Sequence, residues 1–299
     1  MEKLGNVLVS VIIPTFNREK LINRTIESVL SQTYTNFEVI IVDDASTDNT
    51  EKVIKGFKDE RIKYIRLEEN SRGTKPRNIG ILESKGELIA LLDSDDVWLP
   101  NKLEKQIEFI KDDIGKDFMC FTDVILKADN SKEVKSRNRE IIEGEDILEY
   151  IILEDNSVQT STYLLSATLA KKTLFGYDVK KHQDWDFCLK LQKQNTKFIS
   201  LQEALSIYYV DKREGRIAIN SKYQVSLQWL EKVKMYMSNK TYHAFLAKYV
   251  ANSIIIEGNR LQGFKIFAQA YAEKAINQKM FLKGLVKCAL PNFLIKRLL

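Results

Sequence analysis

The 299-residue chain is 44% hydrophobic and 29% charged, with four prolines and three cysteines. That composition excludes collagen-like, disordered and disulfide-rich classes, and the length suits one large domain or one domain with an appendage. The formal net charge of +5 fits an acidic ligand or a membrane surface, and there is no run of five basic residues and no nucleic-acid motif, so nucleic acid is not an expected partner. Cys120, Cys188 and Cys288 stand far apart with no C-x-x-C. Together with the lone His182 and His243 they argue against a cysteine-based metal site and fit a reducing compartment.

In chain order, the first apolar run, "VLVSVII", is seven residues long, broken by a serine and stopped by Pro14, which is too short and wrongly flanked for a signal peptide. No window approaches about 18 unbroken apolar residues, so no bilayer span is expected and the predicted setting is cytoplasmic. Five short, branched or aromatic runs read as buried strands: Val7 to Ile13, Phe37 to Val42, Ile62 to Leu67, Glu87 to Leu92 and Phe118 to Val124. Helical segments lie between them. Leu21, Ile22, Ile26, Val29 and Leu30 recur at helix spacing, Asp48 and Glu51 stand in capping-box relation, and Pro100 suits a first helical turn. Strand–helix alternation predicts an α/β fold with a mostly parallel sheet, right-handed crossovers and flanking helices, whose ligands sit at the carboxyl ends of the strands. The polar clusters fall there: "PTFNR" after the first strand, "DDASTD" after the second, "DSDD" after the fourth. Residues 127–146 are polar and charged and read as a solvated excursion or hairpin. From about Ile217 the strand-like runs cease and 3.6-residue periodicity takes over, a C-terminal helical appendage. The predicted division is residues 1–216 and 217–299.

"DSDD" crowds Asp93, Asp95 and Asp96 at a strand end, where like charges repel. Aspartates there can cap the next helix, which accounts for one or two of them; a D-x-D can also offer carboxylates to a hard cation such as Mg²⁺ or Mn²⁺ that takes its remaining ligands from substrate phosphates. On this stretch alone both readings stand. Asp43 and Asp44 end the second strand and can likewise belong to a loop and cap or accept from a nucleoside. Neither G-x-G-x-x-G nor G-x-x-x-x-G-K-[ST] occurs, which argues against a dinucleotide-binding dehydrogenase or a P-loop ATPase.

Five stretches occur together and in order: "VSVIIPTFNR", "VIIVDDASTDNT", "NSRGTKPRNIG", "LLDSDDVWLP" and "HQDWDFCLKL". Over Val7 to Tyr209 the chain thereby resembles the family 2 glycosyltransferases, enzymes of the GT-A fold that use nucleotide sugars. The resemblance implies that Pro14, Thr15 and Asn17 lie near the base or ribose, that Asp44 with Asp43 accepts from the nucleobase, and that Arg77 contacts the base or a phosphate. It assigns Asp93 and Ser94 to the nucleotide sugar, Asp93 toward ribose, and Asp95 to a divalent cation, Mn²⁺ or Mg²⁺, bridging the diphosphate. Asp96 caps or orients and Trp98 packs. In the helix from "HQDWDFCLKL", Asp184 matches the catalytic base for an acceptor hydroxyl, leaving Asp186 to cap or pair. The chain departs from the family pattern at Pro76, where alanine is usual, and at Gln183, where glutamate is usual; the second departure puts in doubt whatever that glutamate does for the acceptor or for Asp184.

The implied activity is an inverting, metal-dependent glycosyl transfer from a nucleoside-diphosphate sugar, UDP-linked as the commonest case, to a glycan or lipid-linked acceptor in cell-surface polysaccharide or glycolipid synthesis. Alternatives within the same fold are a polyprenyl-phosphate sugar synthase and an inactive nucleotide-sugar-binding module. "QTSTYLL" reads as a strand beside the acceptor pocket, and "YYVDKREGRIAIN" places Lys212, Arg213 and Arg216 on a loop that either reaches the diphosphate or is merely solvated. In the tail, Met280 to Leu299, Phe281, Leu282, Leu285, Val286, Ala289 and Leu290 line one side, with Lys283 and Lys287 a turn apart. That pattern suits peripheral contact with an anionic membrane at the inner face, and a core helix or homo-oligomer contact stays open beside it.

Overall fold

The structure, a computed structural model, describes residues 7–71, 73–128, 133–210 and 223–290. The described residues of Met1–Gly144, Asn156–Val179 and Gln183–Lys212 form one unit, and those of Glu145–Asp155, Lys180–His182 and Arg213–Leu299 form a second. The predicted boundary at 216/217 and the Lys212, Arg213 and Arg216 loop lie outside the described residues.

The first unit opens with β1 (Val9–Thr15), α1 (Ile22–Leu30), β2 (Phe37–Asp43), α2 (Thr50–Gly56), β3 (Ile62–Arg66), α3 (Lys75–Glu83) and β4 (Leu88–Leu91). Val and Ile supply four of the seven residues in each of β1 and β2 and all are buried, because a parallel strand between helices has no wet face. The strands pair in parallel in the order β3, β2, β1, β4. Each crossover therefore returns the chain to the same end, and the polar clusters after β1, β2 and β4 share one edge of the sheet. Helix α3 approaches closely at Gly80, where a Cβ would stand 2.4 Å from Ile12 Cγ2.

The chain continues through β5 (Val97–Trp98), α4 (Lys102–Phe109), β6 (Phe118–Ala128), β7 (Val134–Lys135), β8 (Leu164–Ser166), α5 (Ala167–Thr173), α6 (Gln183–Gln192) and β9 (Lys197–Val210). Among the described residues nine strands form one sheet, in which β8 inserts antiparallel between β4 and β6, and β6 pairs in parallel with β9. The two-residue β5, just after "DSDD", is held antiparallel by β9. Residues 134–135 pair antiparallel with β6, and the rest of the described excursion past β6 forms no strand.

Three local expectations change. Pro14 does not end β1, which runs to Thr15; the β4 ladder stops at Ile12 while the β2 ladder continues, so a residue without an N–H is accommodated past the last β4 pairing. Asp48 and Glu51 form no capping box. Asp48 instead accepts from Thr50 N (2.9 Å) and Glu19 N (3.2 Å), and Glu51 turns to Lys55 (2.7 Å) and Arg66 (2.8 Å). Pro100 precedes the N-cap Asn101 rather than entering the first turn.

The second unit is helical: α7 (Tyr223–Val233), α8 (Asn239–Phe245), a π-helical turn Leu246–Val250, α9 (Ala251–Ile256), α10 (Arg260–Ala272) and α11 (Gln278–Ala289). Two earlier pieces of chain join it. The turn Glu149–Leu153 is capped by Lys248, whose Nζ donates to Ile152 O (2.6 Å) and Asp155 Oδ1 (2.8 Å). His182 packs against Trp229 (ring centroids 5.1 Å) and Phe245 (5.2 Å) and hydrogen-bonds Ser226 Oγ at 3.0 Å. Burial pushes its imidazole down to about 3, so it is a neutral core residue. Gly284 lets α11 close on Phe267 of α10, and Tyr271 stacks on Phe281 at 4.7 Å. No described helix is long and apolar enough to cross a membrane.

One buried charge stands out. Lys102 is fully buried with Nζ 3.8 Å from the centroid of the Trp98 ring and no hydrogen-bond partner. A ring face offers an ammonium about 0.5–2 kcal/mol, too little to offset desolvation, and burial lowers its pKa to about 7. The unfolded chain binds this proton from about pH 10.4 downward, whereas the folded chain does so only near 7. Folding stability is therefore lost as pH falls from about 10 toward 7. Lys102→Met is expected to be more stable than wild type at pH 7 and to lack that slope, as measured by urea denaturation at pH 7, 8.5 and 10.

Candidate active site

The edge formed by the ends of β1, β2 and β4 is braced loop to loop. Asn17, at a left-handed φ of 50°, accepts from Thr47 N at 2.8 Å through Oδ1 and takes Ser46 Oγ on its own N–H at 2.9 Å. Asp43 is wholly buried; its Oδ1 accepts from Ser46 N (2.8 Å) and its Oδ2 from the Tyr64 hydroxyl (2.7 Å). It builds the loop, and Tyr64 is raised well above its ordinary pKa by burial and by that carboxylate. Asp44 accepts from Ser71 N (2.9 Å) and Ser71 Oγ (2.8 Å), which ties the β2 loop to the approach of α3. Thr15 differs from these: its Oγ1 is buried without a hydrogen-bond partner, beside the half-buried Pro14. A buried hydroxyl left unmade costs about 1–3 kcal/mol, which a bound polar ligand would recover.

At the end of β4 each aspartate has its own partners. Asp93 Oδ1 pairs with Arg77 Nη2 at 2.7 Å, and its N–H donates to Ser161 Oγ at 3.1 Å. Asp95 Oδ2 faces Arg18 Nη2 at 3.8 Å, while its carbonyl accepts from Arg24 Nη2 at 2.7 Å. Asp96 Oδ2 accepts from Ser161 Oγ at 2.6 Å, and its carbonyl accepts from Thr25 Oγ1 at 2.8 Å. Asp96 thus orients this turn rather than capping α4. Ser94 is buried between them, and Trp98 packs with its Nε1 donating to Ser161 O at 2.7 Å. The predicted strand "QTSTYLL" is in part a 3-10 turn, Thr160–Thr162, and the role of that turn is to present Ser161 to both Asp93 and Asp96.

Arg77 links this cluster to α6. Its guanidinium lies 4.8 Å from the Phe175 ring centroid, its Nη1 is 3.5 Å from Gln183 Oε1, and its Nε is buried without a partner. Phe175 stacks on Phe187 of α6 at 4.0 Å with planes 6° apart. Asn78, one residue on from Arg77, clamps the Phe175 peptide by donating to its carbonyl (2.9 Å) and accepting its N–H (2.8 Å), and Thr74 Oγ1 donates to Gly176 O at 2.9 Å. A Cβ at Gly176 would stand 2.8 Å from Val179 Cγ2 and 3.0 Å from Lys190 Nζ, so a side chain there would displace Val179 in the turn before α6.

Asp184 sits in the first turn of α6 and accepts from Trp185 N at 3.0 Å, while Asp186 pairs with Lys190 at 3.1 Å. The residue keeps some open surface but its carboxyl is enclosed. Burial pushes its pKa up to about 6, against the Trp185 N–H, with Asp93 adding to the rise and Arg77 opposing it. Gln183, the departure from the family glutamate, donates to Val179 O at 2.9 Å and places no second charge beside Asp184.

Among the described residues no three histidine, cysteine or carboxylate side chains cluster as a metal cage. The donor set fits a hard cation held by one or two carboxylates and completed by phosphate oxygens. Arg18, Asn78 and Ser161 lie within the motifs quoted above and Arg24 within the first helical segment, but the sequence assigns none of them a role. Arg18 was findable as the one cation in "PTFNR", but nothing local marks Ser161, which reaches the site only because β8 inserts between β4 and β6.

The unfolded chain ionises Asp184 near pH 3.9 and the folded chain near 6. Stability is thus fully present below about pH 4 and lost as pH rises through 6. Asp184→Asn is expected to be more stable than wild type at pH 7, by on the order of 1–3 kcal/mol, and no more stable at pH 4, read as unfolding midpoints at the two pH values.

A family model, glycosyl transferase family 2, matches residues 10–167. The amylovoran biosynthesis glycosyltransferase AmsB of Erwinia amylovora is 28% identical over 292 residues, covering 95% of this chain and 97% of its own. S. aureus TarS 1-349 in complex with UDP-GlcNAc superposes with a TM-score of 0.65 at 22% identity, over 94% of this chain and 88% of that one. The mannosyltransferase PcManGT from Pyrobaculum calidifontis, in complex with GDP-Man and Mn²⁺, does so with a TM-score of 0.60 at 18% identity, over 95% and 86%. At those identities the structural likeness speaks for the fold alone. The family match spans the three strand-end clusters, Arg77 and the Ser161 turn, and on it the chain belongs to glycosyl transferase family 2, with the GT-A fold.

Proposed function

We propose that the protein is an inverting glycosyltransferase that moves a sugar from a nucleoside-diphosphate donor, UDP-linked as first candidate, to an acceptor hydroxyl in cell-surface polysaccharide or glycolipid assembly. The observation that carries this reading is Asp184: an enclosed carboxylate whose basicity is raised to about 6, on a helix tied through Phe175 and Arg77 to the aspartates ending β4. The amylovoran enzyme supports the polysaccharide setting, and the UDP-GlcNAc and GDP-Man complexes of the fold relatives support the donor class. In this reading residues 1–216 carry the transferase domain and 217–299 the helical region.

Asp184 takes the proton of the acceptor hydroxyl as its oxygen attacks the anomeric carbon. The bond to the diphosphate breaks on the opposite face, and the leaving group departs with the electron pair, so no bond to the protein is needed. A carboxylate of pKa about 6 is ionised at neutral pH yet a better proton acceptor than an ordinary aspartate. The Thr15 hydroxyl and Asp44 meet the nucleoside; Asn17 and Asp43 act by holding the loops. Pro14 and Ser94 shape the pocket floor, and Asp93, oriented by Arg77 and Ser161, turns its free oxygen toward ribose. Asp95 would hold a divalent cation, Mn²⁺ or Mg²⁺, which neutralises charge on the leaving diphosphate when bound.

A panel of nucleotide sugars with Mn²⁺ or Mg²⁺, followed as released nucleoside diphosphate, identifies the donor. With that donor, Asp184→Asn is expected to bind it normally and lose transfer by at least about a hundredfold, the usual weight of a positioned base. In wild type, kcat/KM should fall about tenfold per pH unit below 6 as Asp184 takes up its proton. Near-normal turnover by the variant would overturn the base assignment and favour transfer to a phosphate acceptor, which needs no strong base.

The same reading places the enzyme at the inner face of the membrane, beside lipid-linked acceptors. Residues 260–290 hold six basic side chains against one acidic, equal to the net charge of the whole chain. Along α10 the exposed Leu261, Phe264 and Tyr271 fall on one stripe, and along α11 the exposed Leu282 and Val286 fall on another. Apolar stripes bordered by lysines suit an anionic bilayer. The full chain is expected to float with vesicles containing phosphatidylglycerol but not with pure phosphatidylcholine, and Leu282→Ser with Val286→Ser should release it; a dimer of unchanged vesicle affinity would instead assign this face to a second copy.

A further inference from the structure

The three aspartates that end β4 are held in different ways. Asp93 is locked by Arg77 at 2.7 Å and Asp96 by Ser161 at 2.6 Å. Asp95 faces Arg18 at 3.8 Å, an ion pair beyond hydrogen-bond length, with Arg18 30% and Asp95 15% exposed at the side chain. A contact of that length carries no hydrogen bond and is open to exchange. The position of Arg18, in contrast, is well fixed. Its N–H donates to Thr50 Oγ1 at 2.7 Å, and Nη1 donates to the carbonyls of Phe16 and Asn17, both at 3.1 Å. Its Nε is buried without a hydrogen-bond partner. The guanidinium is therefore held over the end of β1 with part of its donor fork unused.

We infer that Arg18 couples cation binding to diphosphate binding, serving as counter-ion to Asp95 until the donor's diphosphate takes it over. This rests on the donor-binding reading given above and adds a residue to it. A divalent cation on Asp95 would meet a guanidinium already beside the same carboxylate, and two positive groups so close repel. A diphosphate removes the conflict, because it offers the fork of Arg18 two charged oxygens with better geometry than a carboxylate at 3.8 Å. The same group supplies oxygen ligands to the cation. Arg18 turns from competitor to partner, and each ligand tightens the other by the same factor. Arg24 is not part of the exchange: it holds the Asp95 carbonyl at 2.7 Å and stacks on Tyr209 at 3.7 Å, which keeps the peptide still while the carboxylate changes partner.

Mn²⁺ binding to the full chain can be followed by the electron paramagnetic resonance of the free ion, with and without UDP or GDP. Arg18→Gln is expected to bind Mn²⁺ alone about five- to twentyfold more tightly than wild type, with a smaller gain when nucleotide is added. Asp95→Asn provides an independent arm: with Arg18 released, metal-free UDP or GDP should bind several-fold more tightly than to wild type by calorimetry. The coupling falls, and the transferase reading stands, if both proteins bind nucleoside diphosphate while Arg18→Gln leaves the nucleotide-free Mn²⁺ midpoint unchanged and Asp95→Asn leaves metal-free nucleotide affinity unchanged. If wild type takes up neither Mn²⁺ nor either nucleotide, the donor reading falls and the coupling with it.

Discussion

Three aspartates in four residues at the end of a buried strand can be held only if positive charge and hydrogen-bond donors are brought to them. The site is arranged around that constraint. Arg18 comes from the β1 loop, Arg24 from α1, Arg77 from α3 and Ser161 from the turn before β8, each reaching a different atom of the "DSDD" stretch. Four separate elements are thereby pinned to one edge of the sheet. Remove the carboxylates and Arg77 and Ser161 would lose their partners and Arg18 its counter-ion, while Arg24, which holds a backbone carbonyl, would remain.

The same logic extends to the helix that carries Asp184. Arg77 is the joint: it answers Asp93, lies over Phe175 and reaches Gln183, so the strand-end edge and the helix bearing Asp184 are set by one guanidinium. Asn78 and Thr74 hold the turn between them from the same helix, which explains why "TKPRN" carries so many polar residues in a helix start packed on the sheet. The neutral Gln183 matters here. A glutamate in its place would bring a second negative charge beside a carboxylate already raised by burial and by Asp93.

Much of the fold was legible because its signals are local. Strands write themselves as short runs of apolar, branched or aromatic residues, and the five predicted runs fall on β1, β2, β3, β4 and β6 within one or two residues at most ends, although β3, last in the strand order, is half-buried rather than buried. The shared edge followed from parallel topology alone. What could not be read were features that depend on partners distant in sequence. The strand expected in "QTSTYLL" is present only as β8 after the Thr160–Thr162 turn, and nothing in its residues says that it inserts between β4 and β6 or that β9 pairs with β5; Ser161 enters the site through that placement. The family resemblance assigns Asn17 and Asp43 to the nucleotide; in the structure their side chains bond Thr47, Ser46 and Tyr64 and brace the loops there. Residue type and position could not distinguish a group that touches a ligand from one that shapes the loop around it.

The second unit is assembled from three stretches of chain. Glu145–Asp155 enters it under Lys248, and Lys180–His182 enters it through the aromatic packing of His182, immediately before the helix that carries Asp184. Such a unit does not correspond to one contiguous block of sequence that could be exchanged without disturbing its packing. An ancestor lacking the helices after 223 would have exposed the face of His182 and left the carbonyls at 152 and 153 without their lysine. Exchange of C-terminal regions between relatives of this chain should therefore be rarer than exchange of loops, and productive hybrids should carry residues 145–155 and 180–182 along with the helices they pack on.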